Sequence, residues 1–177
     1  MATSFSLGSR AAAGLTATEA MLPVALGALI VVLLVGALVL RVRRSRRPAV
    51  LVDGSNVMYW HGETPDIRTV RRVVRRLEKD GFRPGVMFDA NAGYLLFGKY
   101  THDPGFARHL NLPEDRIMVV PKGSQADGHL LAAAADMGAR IVTNDRFRDW
   151  ADRYPFVTEK GRLMRGGFQS NRLHLDN

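Results

Sequence analysis

Twenty consecutive residues, Met21 to Leu40 (MLPVALGALIVVLLVGALVL), carry no charge and no strongly polar side chain. At about 1.5 Å rise per residue, a helix of this length covers the roughly 30 Å hydrocarbon core of a bilayer. Pro23 would fall in its first turn, where a missing N–H costs little. The run predicts one membrane-spanning helix. A helix buried in a soluble core would rarely lack every polar residue over this length. A cleaved signal peptide is shorter and ends in small residues, whereas arginines follow here. Residues 1–20 show no periodicity and read as a disordered tail.

From residue 49 the pattern changes. Short, largely apolar runs, Val50-Leu51-Val52, Val86-Met87-Phe88, Ile117-Met118-Val119-Val120 and Arg140-Ile141-Val142-Thr143, have the length and composition of strands buried on both faces. Between them lie helical patterns. Ile67, Val70, Val73, Val74 and Leu77 form one apolar stripe. Thr64-Pro65-Asp66 reads as its start, with Pro at the first helical position, and Asp80-Gly81 as its end. Two short helices are expected between residues 91 and 111, the second over Phe106 to Leu110. A longer one runs from about Gln125 through Leu130, Leu131, Ala134 and Met137 to Gly138. Arg146 to Asp152 reads as a helical turn. Glu159-Lys160-Gly161-Arg162 reads as a hairpin turn between Phe156–Thr158 and Leu163–Arg165. Four β-units separated by helices predict an α/β domain over residues 49–177, with a mostly parallel sheet covered on both faces.

Charge alters this picture less than the net +8 suggests. Arg10 and the five arginines of residues 41–47 account for six of the 25 cations, and Glu19 for one of the 17 acids. Residues 48–177 therefore carry 19 against 16, a net of +3. The linker, residues 41–48, holds Arg41, Arg43, Arg44, Arg46 and Arg47 directly after the apolar run. Positive charge stays on the cytoplasmic side. A single pass through the inner (plasma) membrane is expected, N-terminus out and domain in the cytoplasm, with the linker drawn to anionic lipid headgroups. The apolar run has no GxxxG, so it carries no dimerisation signal. Cysteine is absent, which excludes disulfides and thiolate metal sites.

The candidate chemistry lies in the acids. Asp53, Asp89 and Asp145 each follow an apolar strand, and Asp127 opens a helix. In a parallel sheet all four fall at the carboxyl edge, where such folds collect ligands. Taken singly, each is an ordinary helix cap. Several in one crevice repel and raise each other's pKa, a cost that a cation removes. Asp149, four residues from Asp145, would share its helical face. Oxygen donors alone point to Mg²⁺ or Mn²⁺. No GxxxxGK[ST] and no GxGxxG is present, which argues against a P-loop or a dinucleotide site. Arg68, Arg71, Arg72, Arg75 and Arg76 form either a solvated helix face or a phosphate-binding one.

Asp53-Gly54-Ser55-Asn56-Val57, then His61-Gly62, then Asp127, then Asn144-Asp145-Arg146-Phe147-Arg148-Asp149 resembles the NYN branch of the PIN-like ribonucleases. It is similar to the catalytic domain of the CCCH-zinc-finger endoribonuclease Regnase and its bacterial relatives, over roughly residues 49–170. The resemblance implies a PIN-like fold and a metal-dependent endonuclease acting on single-stranded or looped RNA. It implies Asp53, Asp127 and Asp145 around the metal, Asp149 beside them, and Asn56 supporting Asp53 or a metal-bound water. Arg146 and Arg148, next to the acids, or Arg72 and Arg76 on the helix, would hold the RNA backbone. His61 matches the His-Gly of the pattern; a lone His is more often a structural hydrogen-bonder. The chain departs from the pattern at Ala126, where a second acid often precedes Asp127, and it has no zinc finger. A catalytically weakened RNA-binding scaffold on the membrane is the competing expectation, with a toxin-like nuclease behind it.

Overall fold

The computed structural model describes residues 17–45 and 47–176, with the side chains of 17–25, 41 and 43–45 outside that description. The chain divides at Arg44/Ser45 into two units. In the first, helix α1 runs over Ala17–Ser45. It is longer at both ends than the apolar run, so it takes up residues expected in the tail and in the linker. Residues 1–16 of the expected tail lie outside the described residues. The expected membrane span finds no support here: among the described residues no helix is long and apolar enough to cross a membrane. The side chains of residues 21–25 are not among them.

The second unit is the α/β domain. Its elements are β1 (Ala49–Asp53), α2 (Gly54–Val57), α3 (Ile67–Lys79), β2 (Arg83–Phe88), α4 (Ala92–Phe97), α5 (Asp103–Leu110), β3 (Ile117–Val119), α6 (Ala126–Met137), β4 (Arg140–Val142), β5 (Leu163–Met164), β6 (Gly166–Gln169) and β7 (Arg172–Leu175). Five strands form one parallel sheet in the order β3-β2-β1-β4-β5. β1 is central, with Leu51 opposite Gly85 on one side and Ile141 on the other. Strands flanked on both edges and both faces must be apolar throughout, and Val50, Leu51 and Val52 are all buried. Alternation splits the core in two. Val50 and Val52 pack with Val70, Val73, Val74 and Leu77 of α3 and with Phe106 and Leu110 of α5. Leu51 faces the other way, onto Leu130, Leu131 and Ala134 of α6.

Several elements differ from expectation. Helix α3 begins at Ile67, and its N-cap is Asp66, whose carboxylate accepts the Arg68 N–H at 2.8 Å; Pro65 stands outside the helix. Phe156–Thr158 belongs to a 3₁₀ turn, and Leu163–Met164 joins the parallel sheet beside β4. Glu159–Arg162 therefore makes no hairpin. The hairpin is β6–β7, closed by Ser170 and Asn171, both with positive φ (46° and 62°), as a two-residue turn matching strand twist requires. Leu173 and Leu175 of β7 pack on the α3 side of the core.

Candidate active site at the carboxyl edge of the sheet

The strand order reverses between β1 and β4, and crevices form at such switch points in α/β sheets. Asp53 ends β1 there. One carboxylate oxygen accepts the backbone N–H of Asn56 at 3.1 Å, capping α2, and the other accepts the hydroxyl of Thr143 at 3.0 Å. Capping and a site role thus fall on the same residue. The same Thr143 oxygen accepts the N–H of Asp145 at 3.1 Å, and Asp145 in turn accepts the N–H of Phe147 at 2.8 Å. Thr143 is fully buried and joins the first and fourth strand ends. Ser55 does the same for the second, its hydroxyl accepting the Asp89 N–H at 2.8 Å.

Gly54 is fixed by sterics. A Cβ there would stand 2.5 Å from a Phe88 ring carbon and 2.8 Å from the Met87 carbonyl oxygen. Without a side chain, α2 presses onto β2. Asn56 faces the neighbouring loop. Its side-chain oxygen accepts both Asn144 N–H (3.0 Å) and Trp60 Nε1–H (2.8 Å), so its support of Asp53 comes from its backbone. Asn144 then exchanges two hydrogen bonds with Gly166, at 2.9 and 3.2 Å, fastening the start of β6 to the loop that carries Asp145.

On the opposite wall Asp127 lies in the first turn of α6, where the helix dipole favours an acid. Asp149 belongs to a 3₁₀ turn, Arg148–Trp150. Asp145 and Asp149 do not share a helical face: Phe147 between them is left-handed (φ 48°) and the chain from Asn144 to Phe147 is not helical. Trp150 brings the turn in, because its ring lies where a Cβ on Gly128 would be 2.9 Å away. The result is an open cleft of about 630 Å³ lined by Asp89, Gln125, Ala126, Asp127, Asp149 and Trp150.

The electrostatics tie the acids together. Burial, above all, pushes Asp53 up to about 6 from 3.8; Asp127 and Asp89 add to the rise, and the Asn56 and Thr143 hydrogen bonds oppose it. Asp127 is raised too, by burial first and then by Asp145 and Asp89. The fold therefore gathers Asp53, Asp89, Asp127 and Asp145 within electrostatic reach, with Asp149 on the same cleft. Among the described residues no three His, Cys, Asp or Glu side chains form a ready-made metal cage. The donor chemistry still suits a hard divalent ion. Mg²⁺ is usually held by one or two carboxylates with water and phosphate oxygens completing the shell. Each Asp53 oxygen keeps a lone pair beyond its one hydrogen bond.

The expected cationic residues part company. Arg146 and Arg148 are exposed beside the acids. Arg72 and Arg76 sit on α3, across the sheet from α6. Arg72 clasps Asn171 at its side-chain and backbone oxygens and lies 4.5 Å over the Phe168 ring; Arg76 pairs with Asp80 at 2.7 Å. His61 stacks edge-on against Phe168 at 4.7 Å, away from the carboxylates' hydrogen bonds. Sequence reasoning missed Thr143, Ser55 and Asn144 as organisers of the acids. Thr143 and Asn144 directly precede Asp145, and that adjacency was the available signal.

Among solved structures, nuclear proteinaceous RNase P 2 (PRORP2) from Arabidopsis thaliana matches with a TM-score of 0.57 and 20% identity, over 73% of this chain and 29% of that one. A second structure of the same Arabidopsis protein matches at 0.56 and 20%, over 83% and 34%. The chain spans about a third of the length of these structures, and at this identity the likeness establishes a shared fold. No curated protein sequence matches. The model of the Zc3h12a-like ribonuclease NYN domain matches residues 45–176, the second unit almost to its ends, and the chain belongs to that family of ribonuclease domains.

Proposed function

We propose that the protein is a metal-dependent endoribonuclease that hydrolyses phosphodiester bonds of single-stranded or looped RNA and uses Mg²⁺ or Mn²⁺. The observation that carries this reading is the gathering of Asp53, Asp89, Asp127 and Asp145 at one strand edge, with Asp53 pushed up to about 6. RNA as substrate is supported by the ribonuclease family. The chemistry itself makes no use of the ribose 2′-hydroxyl.

Asp53, Asp127 and Asp145 would hold the ion, which when bound acidifies water and offsets charge on the scissile phosphate. Asn56 N–H and the Thr143 hydroxyl keep the Asp53 carboxylate in one orientation. Asp149, on the cleft wall, would accept the proton of the attacking water. Arg146 and Arg148, exposed beside the acids, would grip the phosphate backbone. The test is cleavage of labelled single-stranded RNA by residues 45–177 with Mg²⁺ or Mn²⁺. Cleavage is expected to stop with EDTA and with Asp145→Asn; cleavage that survives both overturns the reading.

Ala126 on the cleft wall, where related sequences often carry an acid, favours one alternative, an RNA-binding scaffold with a weakened centre. Tight RNA binding with no thermal stabilisation by Mg²⁺ or Mn²⁺ would select it. A membrane tether at Met21–Leu40, with the domain on the cytoplasmic side of the inner membrane, belongs to the proposal on sequence alone. Retention of the full chain in the membrane pellet after carbonate extraction tests it.

A further inference from the structure

The outer face of α3 and the turn of the β6–β7 hairpin enclose a second concavity of about 530 Å³, lined by Arg72, Arg75, Arg76, Ser170, Asn171 and Arg172, with Leu173 at its edge. Its cations fall into two groups. Arg72 and Arg76 are spent on the fold, one clasping Asn171 and the other paired with Asp80. Arg75 and Arg172 are exposed, and among the described residues neither has an acidic partner. No acid lines the groove. Two guanidinium groups without an acidic partner, one on α3 and one on β7, in a groove that Ser170 and Asn171 also line, suit the negative charges of a phosphodiester strand.

The hairpin also links this groove to the acids. Its turn is held by Arg72, while Gly166 at its start is fastened to Asn144, next to Asp145. At about 3.4 Å per strand residue, the three steps from Gly166 to Gln169 put the two ends of β6 roughly 10 Å apart. A single strand lying along the hairpin would have phosphates in the groove and a scissile bond near the cleft.

We infer that the groove formed by Arg75 and Arg172 is a second RNA-backbone site, separate from the acid cleft, that holds the flank of a single strand whose cut position lies at Asp145. This deepens the ribonuclease reading and rests on it. A concave groove continuous with the hairpin suits a strand better than a flat lipid surface.

The experiment measures binding, so that it does not depend on cleavage. The full chain in detergent micelles, carrying Asp145→Asn, is titrated with fluorescent single-stranded RNA of about 16 and about 4 nucleotides, spanning the usual site sizes of single-strand binders. The pair Arg75→Gln and Arg172→Gln is expected to weaken the longer RNA roughly tenfold at low salt and to flatten the log K against log salt slope by about 1.4, at about 0.7 per phosphate contact. The loss should be smaller for the short RNA, which cannot reach both sites. A charge-reversed pair, Arg75→Glu and Arg172→Glu, should deepen it, and unchanged far-ultraviolet circular dichroism shows that the fold is kept. Unchanged affinity and slope, or equal loss for both lengths, overturns the site. So does loss of binding to vesicles containing phosphatidylserine with RNA binding intact, which would assign the groove to lipid. If instead the parent enzyme never cleaves RNA while these binding differences appear, the nuclease reading fails and the groove stands.

Discussion

At the carboxyl edge of the sheet, burial and the neighbouring acids raise Asp53 (Asp127 and Asp89 adding to burial) and Asp127 (Asp145 and Asp89 adding to burial), and among the described residues no cationic side chain pairs with these four acids. On α3 a run of like charge is treated in the opposite way. Arg68 pairs with Asp66, Arg76 with Asp80, and Arg72 with a turn and an aromatic ring. In the sequence both are clusters of one sign. In the fold the first cluster is left under tension and the second is relieved locally at Arg68, Arg72 and Arg76, though not at Arg75. Where a fold leaves charge uncompensated in a partly buried place, a ligand of opposite sign is the economical explanation. Where it compensates the charge, the residues hold the architecture.

The contrast can be broken by substitution. The largest effect belongs to the acids: Asp145→Asn or Asp53→Asn should lower metal-dependent RNA cleavage by about a hundredfold or more, at least the loss seen when a metal's outer-shell partners are removed. Arg76→Ala, assayed in parallel, should leave cleavage nearly intact, and equal losses would erase the distinction.

Next comes stability. Asp53 has a higher pKa folded (about 6) than unfolded (3.8), so its protonated form favours the fold. Stability from this group is fully present below pH 3.8 and is lost as pH rises through 6, by at most about 3 kcal/mol at 1.36 kcal/mol per unit. Asp127 is raised as well and acts with the same sign. Thermal melts without metal should therefore show stability contributed at low pH and withdrawn toward neutrality. Asp53→Asn should flatten that dependence and raise the melting point at pH 7, and Mg²⁺ should do the same for the parent. A gain in stability with a loss of activity is the signature of a strained site. A fall in melting point with Asp53→Asn would mean that the carboxylate is structural.

Smaller is Gly54→Ala, where Phe88 and the Met87 carbonyl leave no room for a methyl group; overpacking of this kind costs about 1–3 kcal/mol, read as a lower denaturant midpoint. Smallest is the surface pair: Arg76→Ala should cost less than about 1 kcal/mol, whereas Arg72→Ala, which removes two hydrogen bonds and a ring contact, should cost more and speed amide exchange in β6 and β7.

What could be read from the chain followed the strength of local patterning. Buried strands announce themselves as apolar runs, so Asp53 and Asp89 could be placed at strand ends and Asp127 at a helix start before any coordinates. The four-residue spacing of Asp145 and Asp149 implies one helical face, and nothing in Arg-Phe-Arg announces the left-handed Phe147 that breaks it. The hairpin is hidden in the sequence for a related reason. Gly161 made Glu159–Arg162 look like the turn, while the true one, Ser170-Asn171, has no glycine, and β6 opens with two glycines instead of alternating side chains. Thr143 escaped because a threonine at the end of a strand is ordinary until its hydroxyl is seen between two carboxyl-bearing loops. Such organisers act through tertiary neighbours, and local sequence cannot display those.

The central position of β1 has a consequence for the order of assembly. Its outer partner on one side, β2, is made soon after it, but the hydroxyl that steadies Asp53 comes from Thr143, ninety residues further along. Pairings so distant along a chain form late. Until Arg140–Val142 docks, one edge of β1 stays open as an invitation to other strands, and the acid that is translated first is among the last to be set in its working posture.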